Sequence, residues 1–258
     1  MSISNKLKLI SLMMVFVTSS SFASETVWDF TTSNSATTSF GSGSGTSSYG
    51  NSLTFNQNGN SVNVTAWADT NEVSSGSDKI ESATAANNYW GLLNYNRNSG
   101  DEHYVDNNGD FEMLLLDFGD AVSLTSIDLG SYSNDSDVSI GAFTSMPTLN
   151  GSTWSSVASS AFFTTSFSNI GNAAYAINNL KNNIVVEARY WLIGAYNTAF
   201  GGNTGWTGAK DYIKIAGITT KNALSPKPDD STAVPEPSSL AIFACFGMAL
   251  LWRRRQKM

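Results

Sequence analysis

The sequence predicts an all-β fold, an antiparallel jelly-roll-like sandwich, flanked by an N-terminal signal helix and a short C-terminal transmembrane helix. Three observations lead there. Apolar residues between Glu25 and Asn222 recur at period two, the spacing that puts alternate side chains on one face of a strand. Clusters of Gly, Asn, Asp and Ser punctuate these runs where turns are needed. Charged residues make up only 14% of the chain, too few for long salt-bridged helices, and no long stretch carries a helical amphipathic period.

Taken in order, Ser33 to Gly50 is a low-complexity Ser/Gly/Thr stretch that reads as a mobile loop or a poorly packed first hairpin. Ser61 to Asp69 (SVNVTAWAD) sets Val62, Val64, Ala66 and Ala68 on one face of a strand. After the turn at Asn107-Asn108-Gly109, Glu112 to Gly119 (EMLLLDFG) is a dense apolar run, as in a strand covered on both faces. Leu124 to Tyr132 alternates less cleanly, and Asp137 to Phe143 (DVSIGAF) alternates well beyond the turn at Ser133-Asn134-Asp135-Ser136. Tyr190 to Tyr196 (YWLIGAY) is an aromatic strand, and Asp211 to Thr219 (DYIKIAGIT) closes the domain after Gly201-Gly202-Asn203. Many short strands with such turns predict a single sandwich.

Between Ser24 and Asn222 there are seven Lys or Arg against eighteen Asp or Glu, a net charge of −11. Nucleic-acid binding requires a basic footprint to displace counterions, so DNA and RNA are excluded as partners on this ground. The one cysteine, Cys245, rules out an intramolecular disulfide, and stability must come from a core of ordinary size with or without bound metal.

Both ends read as processing signals. Lys6 and Lys8, the apolar run Leu9 to Val17 and the small residues Ser21 and Ala23 form a secretory signal over residues 1–23, with cleavage after Ala23. Residues 24–222 form the ectodomain and 223–233 (ALSPKPDDSTA) a polar, Pro-containing linker. From residue 234 to 258 come Val234-Pro235-Glu236-Pro237, an uncharged stretch from Ser238 to Trp252, and Arg253, Arg254 and Arg255. That stretch reaches roughly 22 Å as a helix, short of a bilayer core of about 30 Å. It inserts if the bilayer thins and the arginines snorkel, and the basic cluster then stays cytoplasmic.

This order of Pro-Glu-Pro, short span, basic cluster and chain end resembles the PEP-CTERM sorting signal of Gram-negative bacteria. The resemblance implies that Val234, Pro235, Glu236 and Pro237 are recognised by an exosortase, a membrane cysteine transpeptidase or protease. It also implies passage through signal peptidase and the general secretion machinery, a transient stay in the inner membrane, and a final place at the cell surface or in the extracellular matrix with exopolysaccharide. The ectodomain is similar to one group of exosortase-dependent surface proteins at His103-Tyr104-Val105-Asp106-Asn107, Asp135-Ser136-Asp137 and Tyr190-Trp191-Leu192-Ile193-Gly194-Ala195. That likeness implies a shared ectodomain and no particular activity.

Candidate chemistry is sparse. His103 is the only histidine and no G-x-S-x-G elbow is present, which leaves no recognisable nucleophilic triad and no multi-histidine zinc site. Paired carboxylates of a hydrolase remain open, with no pair singled out. Asp106, Asn108, Asp110 and Glu112 present oxygens at alternate positions, a spacing that can curl hard ligands onto one calcium ion, with Asp135 and Asp137 in another loop. An Asx turn whose side chains bond their own backbone is the simpler account of that loop. Among the aromatics, Trp206 in a Gly-rich loop is the candidate platform for a sugar, and the remaining Trp and Tyr residues are expected to be core. The reading is a non-enzymatic exported protein, with a carbohydrate-binding and calcium-dependent module as the alternative and a hydrolase behind it.

Overall fold

The structure, a computed structural model, describes residues 24–31, 36–38, 41–43, 46–70, 79–96, 103–177, 180–181, 184–202 and 210–222. All of these belong to the first of two compact units, which ends at Ala223. The signal segment, linker, sorting motif, basic cluster and Trp206 lie outside the described residues.

The expectation of a β-rich fold holds. The first strands are β1 (Glu25–Asp29), β2 (Ala36–Thr38), β3 (Gly41–Gly43), β4 (Thr46–Gly50), β5 (Leu53–Gln57) and β6 (Asn60–Asp69). Next come β7 (Ile80–Asn88), β8 (Gly91–Tyr95), β9 (Val105–Asp106), β10 (Glu112–Asn134) and β11 (Val138–Phe143). A short helix α1 (Trp154–Ser160) precedes β12 (Phe163–Phe167), β13 (Tyr175–Ala176), β14 (Leu180–Lys181) and β15 (Ile184–Val185). The last strands are β16 (Ala188–Ala195) and β17 (Asp211–Asn222). Among the described residues no helix is long and apolar enough to cross a membrane.

All but β14 and β15 join one sheet, ordered β12-β11-β16-β10-β17-β8-β7-β6-β5-β2, in which β6 also pairs β10. That additional pairing closes β10, β17, β8, β7 and β6 into a barrel-like ring. Strand β10 makes the closure possible. Its first part runs between β6 and β16, from Glu112↔Ala68 to Asp117↔Asn63 and from Met113↔Gly194 to Asp117↔Tyr190. Its second part pairs β17 from Val122↔Asn222 to Asn134↔Asp211. Between Asp117 and Val122 the register breaks at a bulge, where Gly119 takes φ 76°. A side chain at that φ would meet its own backbone, so glycine is what lets the strand bend and change neighbours.

The burial pattern explains why the dense run of β10 is apolar on both faces. Leu114 and Leu116 point into the large core with Trp28, Phe30, Phe55 and Trp191. Met113 and Leu115 point the other way, into a second core with Trp154 and Val157 of α1, Leu192 and Phe200. Strand β11 differs from the expected alternation, being buried at every position from Val138 to Phe143. The reason is Phe200, whose ring lies where a Cβ on Gly141 would be, 2.6 Å away. Helix α1 is started by Thr153, whose hydroxyl accepts from the Ser156 N–H.

Candidate functional site

Strands β6, β8 and β16 end, and β9, β11 and β17 begin, at one end of the sheet, and acids collect there. Asp69, Asp106, Asp110, Glu112, Asp137 and Asp211 are all buried, with Asp135 half-buried beside them. Their placement follows from register: Glu112 sits opposite Ala68, next to Asp69, while Tyr212, next to Asp211, sits opposite Asp106.

The group has two parts. In the first, Asn96 donates through Nδ2 to Glu112 Oε1 at 2.6 Å and to Asp110 Oδ2 at 3.4 Å, and the Asp106 N–H donates to Glu112 Oε2 at 3.1 Å. Asp69 Oδ1 accepts from the Phe111 N–H in a short bond. In the second, Asp211 Oδ1 accepts from the Asp137 N–H at 2.9 Å and Oδ2 from Asn107 Nδ2 at 2.7 Å. Asn107 Oδ1 accepts in return from the Asp211 N–H at 2.8 Å. One carboxylate oxygen from each of Asp135, Asp137 and Asp211 lies within 4.8 Å of the others. Asn107 bridges the parts, since it follows Asp106 and also donates to the Tyr196 carbonyl at 3.0 Å.

Burial and mutual proximity shift several of these groups. Desolvation pushes Asp69 up to about 7, with the Asp110 charge adding to it and the Phe111 N–H opposing. Asp211 is also raised to about 7, first by burial and then by Asp137, against the bonds from Asp137 and Asn107. Glu112 is held well above the usual carboxylate range by burial and by Asp106 and Asp110. Asp137 rises by burial and the nearby Asp135. Among the described residues the ion pairs Arg189–Asp117 and Lys221–Glu25 lie elsewhere. Lys214 is buried too, its ammonium 4.6 Å from the centre of the Tyr104 ring.

Of the calcium ligands expected from spacing, Asp106, Asp110 and Glu112 are brought together. The Asn108 N–H donates to Asp106 Oδ1 at 2.8 Å, which forms an Asx turn within the loop. Sequence spacing missed Asp69 and Asp211, which arrive from strands far along the chain. It also missed the exposed aromatic pair: Tyr89 and Trp90, 68% and 42% exposed, stand at the turn between β7 and β8 with ring centres 4.9 Å apart. An Asn-X-X-Gly turn between two strand-like runs was the available signal. Trp28, Trp154 and Trp191 are core, as expected for a domain of this kind.

Chemically, the acidic end offers hard oxygen ligands in quantity. Comparison of the chain with known protein families, characterised proteins and solved structures gives no match.

Proposed function

We propose that the chain is an exported, non-enzymatic surface or matrix protein, secreted through the general machinery and processed by an exosortase at its tail. Signal peptidase removes residues 1–23, the tail holds the intermediate in the inner membrane, and processing passes it to the cell surface or to extracellular polysaccharide. The β-rich domain, read as a jelly-roll-like sandwich, is then the cargo. The observation that carries this reading is the order Val234-Pro235-Glu236-Pro237, apolar stretch, Arg253-Arg254-Arg255. Deletion of residues 234–258 in the native host tests it: the protein should leave the envelope fraction and lose the processing step seen as a mass change. An unchanged distribution and an unchanged processing pattern would remove the reading.

A second reading, a carbohydrate-binding module supported by calcium, is favoured by the acidic end. Asp69, Glu112, Asp137 and Asp211 have pKa values raised by burial, a costly arrangement that a divalent ion relieves. The oxygens of Asp135, Asp137 and Asp211 are close enough to share one ion, and Asp106, Asp110 and Glu112 form the neighbouring group. Calcium at 100 times its dissociation constant would stabilise the fold by about 2.7 kcal/mol. Thermal melts at pH 7.5 in EDTA, calcium and magnesium should show a calcium-specific rise that Asp137→Asn and Asp211→Asn abolish. Identical melts in all three would remove calcium from the reading.

A further inference from the structure

On the outer face of the sheet, away from the acidic end, β1, β17 and β10 lie side by side. The register sets Asp29 opposite Gly217 and Asp128 opposite the same Gly217. Two carboxylates therefore flank a position with no side chain. The next outward row holds Val27, Thr219 and Ser126. These residues line a cavity of about 380 Å³, with Ala174 on the bank beyond β10. That volume lies at the small end of ligand sites, which run from roughly 300 to 1,000 Å³.

The chemistry of the groove is one-sided. Asp29 uses Oδ1 to accept from the Thr31 N–H and hydroxyl at 2.8 and 2.7 Å, fixing its orientation. Asp128 has no hydrogen bond or ion pair among the described residues, and burial raises its pKa with no opposing contact. Among the described residues no lysine or arginine lines the cavity. The groove thus holds Asp128 as an acceptor without a donor among the described residues, beside the hydroxyl-bearing Thr31, Ser126 and Thr219 and over the bare Gly217. Strands are spaced by about 4.8 Å, so the two aspartate Cα atoms stand roughly 10 Å apart with side chains normal to the sheet.

An aromatic surface adjoins the groove. The Trp90 carbonyl oxygen rests on Gly130, where an added Cβ would come within 2.1 Å of it and within 3.0 Å of the Ala216 side chain. Gly130 follows Asp128 by two residues on the same face of β10, and Ala216 lines the cavity. The backbone of the exposed Tyr89–Trp90 pair is held beside β10 and Ala216 in this way.

We propose that the groove between Asp29 and Asp128, with Trp90 at its end, is a binding site for a neutral saccharide. Sugar hydroxyls supply the donor that Asp128 lacks and a further one to Asp29, the glycine leaves room for the ring, and an indole covers a neighbouring apolar sugar face. The inference rests on the carbohydrate-binding reading above and assigns it a place distinct from the acidic end.

The test uses the purified protein in calcium-containing buffer against soluble neutral glucans, mannans and xylans, by calorimetry and by retardation in polysaccharide-containing native gels. Wild type should bind at least one of them. Asp128→Ala and Trp90→Ala should each weaken that binding at least tenfold while keeping the thermal midpoint. Met146→Ala, in a separate cavity beside α1, should bind as wild type does. Binding by wild type that both groove variants retain within twofold would overturn the placement and leave the carbohydrate reading standing. Failure of wild type to bind any of the glycans, or binding confined to cationic sugars such as chitosan oligomers, would overturn the proposal itself.

Discussion

Raising the pH from 4.5 to 7.5 in EDTA should destabilise this fold, in contrast to a protein whose carboxylates are ion-paired. Asp69 and Asp211 have folded-state pKa values of about 7, against 3.8 when free of the fold. Between those values the native state binds more protons than the unfolded state, so unfolding free energy falls as pH rises. The contribution is fully present below about pH 4 and is lost as pH rises through about 7. At about 1.4 kcal/mol per unit, the window from 4.5 to 7.5 would remove at most ~3.5 kcal/mol for each group. Partial solvent access and relaxation reduce this to about 1–2 kcal/mol each, or about 2–4 kcal/mol together. Glu112, raised by burial, acts in the same direction. Asp117 acts oppositely, since Arg189 holds it below its usual range, but its effect falls below this window. Urea melts across the range should show a falling midpoint at constant slope. Asp69→Asn and Asp211→Asn should each flatten the pH dependence. A midpoint that stays level or rises toward pH 7.5, or a slope against pH that neither variant changes, would refute the reasoning.

Further outcomes follow from packing. Trp191→Ala, at a fully buried site in the larger core, should lower stability by about 3–5 kcal/mol in the same urea assay. Gly130→Val places atoms against the Trp90 carbonyl and should cost about 1–3 kcal/mol, with the amides of the β7–β8 turn losing hydrogen-exchange protection. Thr153→Ala removes the acceptor for the Ser156 N–H and should cost about 1 kcal/mol, read by thermal denaturation.

The strands were legible wherever one face meets the core and the other meets water. In β6, Val62, Val64, Ala66 and Ala68 are buried as their alternation predicts. The run Leu114-Leu115-Leu116 announced a strand covered twice, and two cores do cover it. What alternation could not reveal was the cover itself. Nothing local in Asp137 to Phe143 says that Phe200 will lie on Gly141. The same limit applied to the acidic end. The alternate-position spacing of Asp106, Asn108, Asp110 and Glu112 marked a polar loop, but Asp69 and Asp211 join it only through pairing with β10 and β9. The groove was less visible still, because Asp29 and Asp128 become neighbours of Gly217 only once three strands separated by long stretches of chain are in register.

The place of β17 in the sheet has a consequence for how the chain comes to be folded. This strand is hydrogen-bonded to β1, β8, β9 and β10, so the earliest strand of the domain is sealed by the latest, Glu25 against Lys221. A ribosome delivering the chain from its N-terminus leaves β1 and the second part of β10 without their main partner until residue 222 has emerged. Such pairings demand closure of very long loops and are slow to form. A chain that cannot complete its ring early stays open along its length until its last strand is made.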